Sequence, residues 1–142
     1  MTIETHRSKG AIPFVWALLA GIAVPILPTY LAVALVRRFS VDYLDSVIGA
    51  VFGLAGLLGG IVCGYLSDRH WLVSGLAMAG LQCATIMIGN LANSHLAGDS
   101  TYAFTAGTLA TLLPAVAAGA VLGASFGELV GKREAARGKG PG

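Results

Sequence analysis

Charge is what this sequence has least of. Only 11% of its 142 residues are Asp, Glu, Lys or Arg, and the net charge is +2. The few basic residues flank apolar stretches and do not run along a face with stacking aromatics, which excludes a nucleic-acid interface. The three histidines, His6, His70 and His95, sit at or beyond the ends of those stretches, so none is placed to ligate haem or chlorophyll. The two cysteines, Cys63 and Cys83, lie inside apolar stretches with no nearby His or second Cys to complete a metal site, and read as small packing residues. No nucleophile has a base beside it, so no catalytic residues and no enzyme activity are expected. There is no Asn-x-Ser/Thr acceptor and hence no glycosylation signal.

Long hydrophobic runs are what the sequence does have. Hydrophobic residues make up 56% of the chain, and the mean hydropathy is +0.78, too apolar for an ordinary soluble domain. A helix needs about 20 apolar residues to cross roughly 30 Å of hydrocarbon. Four stretches qualify: 11–36, 47–66, 71–91 and 102–130. The expected fold is therefore all-α, a polytopic membrane protein with four transmembrane helices in an up-down bundle. Residues 1–10 form a polar leader and 131–142 a basic, flexible tail. The leader followed by an apolar run also resembles the start of a secretory signal, but the run is longer than a signal core and reads as an uncleaved first span.

Glycine is concentrated in the second span. Gly49, Gly53, Gly56, Gly60 and Gly64 recur at steps of four, three, four and four, forming one side-chain-free stripe on a helix, which Gly59 widens. In water each glycine would cost a helix roughly 1 kcal/mol against alanine. In a bilayer the cost of exposed backbone enforces the helix, and the bare stripe admits a close neighbour. The fourth span repeats the device with Ala115, Gly119, Gly123, Gly127 and Gly131. The two seams are expected to pack on each other or on another protein.

The remaining features are sparse. Pro25 and Pro28 deprive the Gly21 and Val24 carbonyls of their helical donors, which predicts either a bend relieved by neighbours or a broken helix exposing backbone to a substrate or ion. Arg37 and Arg38 are matched by Asp42 and Asp45 in a solvated loop. The second and third spans are joined by Ser67-Asp68-Arg69-His70, a tight hairpin in which Ser67 or Asp68 is expected to cap the third helix. Gln82, the strongly polar side chain near a helix centre, must find a partner, as interhelical glue or as a contact to a ligand or quinone. Pro114 is expected to bend the fourth span just before its seam. Glu128, the only acid inside a span, is one turn before Lys132 and reads as a snorkelling ion pair.

Seven Lys and Arg residues flank one side of these spans and two the other, which places both tails in the cytoplasm under the positive-inside rule. Aromatic residues agree: Phe14, Trp16, Tyr65, Trp71 and Phe126 group at the inner surface, and Phe39, Tyr43, Tyr102 and Phe104 at the outer. The expected location is a bacterial inner membrane.

The run Gly64-Tyr65-Leu66-Ser67-Asp68-Arg69 resembles the G-x-L-x-D-R start of the loop motif between the second and third helices of the major facilitator superfamily. That resemblance implies a cytoplasmic gate formed by Asp68 and Arg69. The chain departs from the pattern at His70, Trp71 and Leu72, and has four spans where the family has twelve. Gly59-Gly60 and Gly64-Tyr65, followed by Leu72 and Gly75-Leu76, also resemble hairpins of small four-helix membrane families of unknown role. Small multidrug exporters are similar in size, but their membrane-embedded Glu in the first span has no counterpart here. Nor does the Thr-Thr-Phe-Ser-Thr track of fluoride channels.

These features lead to an expectation of a non-catalytic integral membrane subunit that packs through its glycine faces into a larger membrane complex. Its partners would be lipid and other membrane subunits. It would hold no side-chain-ligated cofactor, though it would contact lipid or a neighbouring pigment or quinone. The alternative is a small transporter or channel active as a homo-oligomer, with Pro25, Pro28 and Gln82 lining the path.

Overall fold

The computed structural model describes residues 13–38, 44–67, 69–96 and 104–137. Four α-helices account for nearly all of them: α1 (Phe14–Arg38), α2 (Leu44–Leu66), α3 (Trp71–Leu96) and α4 (Ala106–Arg137). No strand occurs among the described residues. Three of the helices contain segments long and apolar enough to cross a membrane: Val47–Leu66, Trp71–Ala92 and Ala106–Arg137. The first helix runs through both Pro25 and Pro28 to Arg38.

Contacts fix the direction of each helix. Phe14 and Ala17 cluster with Cys63 and Leu66, and Gly21 meets Gly59, so α1 and α2 are antiparallel. Gly75 lies against Val121 and Ala124 while Asn90 reaches Phe104, so α3 and α4 are antiparallel as well. In contrast α2 and α4 run parallel, Gly53 meeting Ala115 and Gly64 meeting Ala124. Among the described residues the α2–α4 interface is the most extensive, and α1 and α4 meet only through the shared core and not by close backbone approach. The cross-section is a lozenge with α2 and α3 on its short diagonal, and α1 against α3 is the loosest edge.

The core combines many small side chains with a few larger ones, Met78, Leu112 and Ile48. Ala17, Cys63, Met78, Ala79 and Ala120 form one buried cluster, and Ile48, Leu112 and Val116 a second. Many large aliphatic side chains point outward, among them Leu27 at 77% exposure and Ile88 at 67%. Apolar outside and largely small inside is the pattern of helices that associate by close backbone approach.

Several sequence boundaries change. The third helix continues to Leu96, so residues 92–96, beyond the end of the expected third span at 91, are helical. The region predicted as a flexible tail is helical as far as Arg137. The physical reason is that Lys132-Arg133-Glu134-Ala135-Ala136-Arg137 contains only good helix formers, and no breaker follows until Gly138. The leader, Asp42 and Asp68 lie outside the described residues.

Candidate functional site

The two small-residue stripes face each other inside the chain. A Cβ built on Gly56, Gly60 or Gly64 would run into the carbonyl oxygen of Val116, Ala120 or Ala124. Reciprocally, a Cβ on Gly119, Gly123 or Gly127 would run into the carbonyl of Gly53, Leu57 or Ile61. One Cα hydrogen of each glycine takes the direction a Cβ would have. The seam therefore places Cα–H groups of each helix against carbonyls of the other, weak bonds of about 0.5–1 kcal/mol each. Gly53 has a looser fit, its would-be Cβ lying 3.7 Å from that of Ala115. Gly49, at the head of the stripe, meets nothing within 4 Å. Gly131 faces only the ring edge and carbonyl of Tyr65, at 3.7 Å.

A second close approach joins α1, α2 and α3 at Gly59. A Cβ there would lie 2.5 Å from the Gly21 carbonyl oxygen and 3.1 Å from the Met78 methyl, and would collide with the Gln82 side-chain amide. The Gly21 carbonyl is the one deprived of its i+4 donor by Pro25, which is itself buried, whereas Pro28 is exposed. Gln82 is buried. Its Nε2 donates to the Ala55 carbonyl across a long 3.4 Å, and its Oε1 has no partner among the described residues. Thr85, one turn on, satisfies itself by donating to the Leu81 carbonyl at 2.8 Å.

The third cluster closes the end of the bundle where α2 turns into α3. Ser67 accepts from the Arg69 amide at 3.0 Å and from the Ser74 hydroxyl at 3.0 Å. It stiffens the turn but does not cap α3, because the turn runs on until Trp71 and leaves Ser67 too far back; Asp68, the other expected cap, lies outside the described residues. His70 caps instead, its Nδ1 accepting from the Leu72 amide at 3.3 Å and its carbonyl from the Val73 and Ser74 amides. Glu128, from α4, accepts the Trp71 amide at 2.5 Å and also pairs with Lys132. It is thus a cap supplied in trans, a carboxylate at the positive end of a helix dipole. Nearby, the Tyr65 hydroxyl donates to Glu134 at 2.6 Å. Arg69 is exposed.

The opposite end is closed more simply. Thr105 caps α4, accepting from the Thr108 amide at 3.2 Å, and Phe104 packs edge-on against Phe52 at 5.9 Å. The cysteines are both free; Cys63 faces the Ser74 carbonyl and Cys83 that of Leu113, each at 3.8 Å. No group of three or more His, Cys, Asp or Glu able to hold a metal occurs among the described residues.

Sequence reasoning missed Gly21 and Gly75 as contact points and Glu128 as a cap. The available signal was a lone glycine after a small residue, Ala20-Gly21 in α1 and Ser74-Gly75 in α3, too common in apolar helices to single out. No protein-family model matches this chain, and no curated protein or solved structure does.

Proposed function

We propose that this chain is a non-catalytic integral membrane subunit, crossing the bilayer four times with both termini in the cytoplasm. On this reading it joins a larger assembly of the bacterial inner membrane through outward faces of α1 and α3. The observation that carries the proposal is where the glycine stripes go. They are consumed between α2 and α4, so the bundle closes on itself and its outer surface is free to be covered by other chains. In the half of α1 beyond Pro25, Ile26, Leu27, Leu31 and Leu35 are 48%, 77%, 62% and 48% exposed. Gentle solubilisation and native mass measurement test the reading. A stoichiometric complex with different membrane chains is expected, with photo-crosslinks from Leu27 or Leu31 landing on them.

A second reading has its own observation. The Gln82 oxygen, without a partner among the described residues, lies beside the proline-containing α1 at the loosest edge of the bundle, which favours a small transporter or channel assembled from several copies. A purely homo-oligomeric mass would favour that reading.

A further inference from the structure

We infer that the α2–α3 turn and the last turns of α4 form a basic rim that selects anionic phospholipid headgroups. The inference rests on the membrane-spanning reading above. The rim is held together by two bonds: Glu128 on α4 accepts the Trp71 amide and Glu134 the Tyr65 hydroxyl, which holds Arg69, two residues before Trp71, at the same end of the bundle as the last turns of α4.

The charges of this rim are not balanced. Both of its described acids are already engaged, Glu128 with Lys132 and the Trp71 amide, and Glu134 with the Tyr65 hydroxyl. Arg69, Arg133 and Arg137 are exposed, and none has an ion-pair partner among the described residues. Arg133 and Arg137 are one turn apart on α4, so they lie on the same side of the helix. A guanidinium pair presented in this way suits the bidentate geometry of a phosphate.

The height of the rim identifies the phosphate as a lipid's. Exposed Leu129 and Val130 lie immediately before it on α4, at 55% and 46% exposure. Exposed Trp16, Tyr65 and Phe126, together with half-buried Trp71, gather at the same end. Aromatics followed by arginines are the sequence of groups met on passing from acyl chain to headgroup. Each arginine near an anionic surface contributes on the order of a fivefold preference, so the Arg133–Arg137 pair supplies roughly 25-fold.

The test is reconstitution of the full chain into mixed phosphatidylcholine and phosphatidylglycerol nanodiscs, followed by native mass measurement of the lipids retained on release. Phosphatidylglycerol should be enriched roughly 25-fold or more over its share. The enrichment should fall as salt rises, resist competition by inorganic phosphate, and drop roughly 25-fold in the Arg133→Gln/Arg137→Gln variant. Equal retention of both lipids, or unchanged enrichment in the double variant, overturns the inference and leaves the membrane reading standing. Displacement by inorganic phosphate would assign the rim to a soluble anion and also overturn it. A chain that retains neither lipid and does not partition into the nanodisc overturns both.

Discussion

Gly21 and Gly59 are each other's obstacle. A Cβ on Gly21 would lie 2.7 Å from the Gly59 carbonyl oxygen, and one on Gly59 would lie 2.5 Å from that of Gly21. Neither helix is able to accept even a methyl group without moving, because the opposing atom is backbone. Gly59→Ala is therefore expected to push α1 off α2 and disturb Met78 and Gln82, at a cost of about 1–3 kcal/mol. Unfolding in mixed micelles, followed by circular dichroism, measures the loss. Gly80→Ala is the control, since a Cβ there meets nothing within 4 Å.

The α2–α4 seam predicts a graded series. Gly60→Ala drives a Cβ into the Ala120 backbone, whose carbonyl carbon would lie 2.8 Å away, and is expected to cost about 1–3 kcal/mol. Gly53→Ala meets ordinary contacts at 3.7 Å and should change stability by less than about 0.5 kcal/mol. Gly49→Leu should be tolerated within the chain, because that position is open. If Gly49→Leu unfolds the isolated protein as badly as Gly60→Leu, the seam does not run where the contacts place it.

How much of this was legible beforehand depends on whether the signal was local. Gly56, Gly60 and Gly64, like Gly119, Gly123 and Gly127, announce a bare face by spacing alone, because a helix brings every third or fourth residue to one side. What that face meets is a tertiary fact. The sequence left open whether the stripes met each other or a different protein, and their reciprocal carbonyl contacts appear only once α2 and α4 are parallel neighbours. The Gly21–Gly59 approach left no periodic trace, since α1 contains no second glycine. The Glu128 cap was hidden for the same reason, its donor Trp71 being 57 residues away.

Gln82 separates the two functional readings. Its Oε1 is buried without a partner among the described residues, and its Nε2 bond to Ala55 is long. Leaving a buried acceptor unsatisfied costs about 1–3 kcal/mol, so Gln82→Met, similar in shape, should leave stability unchanged or raise it. Under the subunit reading the variant still assembles with its partners. Under the transporter reading it gains stability and loses flux. A fall in stability beyond about 1 kcal/mol would show that the carboxamide is glue after all.

Glu128 makes two contacts of different worth, and substitution distinguishes them. Its pairing with Lys132 involves a lysine side chain 71% exposed, and exposed pairs of this kind contribute about 0–1 kcal/mol. Its acceptance of the Trp71 amide closes the first turn of α3, and losing such a cap costs about 0.5–2 kcal/mol. Lys132→Ala should therefore be mild. Glu128→Gln keeps a side-chain acceptor for Trp71 and should also be mild, whereas Glu128→Ala removes the acceptor and should bear the larger loss. Hydrogen exchange at the Trp71 and Leu72 amides reads the cap directly: faster exchange is expected in Glu128→Ala and little change in Lys132→Ala. If Lys132→Ala proves as damaging as Glu128→Ala, the ion pair and not the cap holds α4 to the α2–α3 turn.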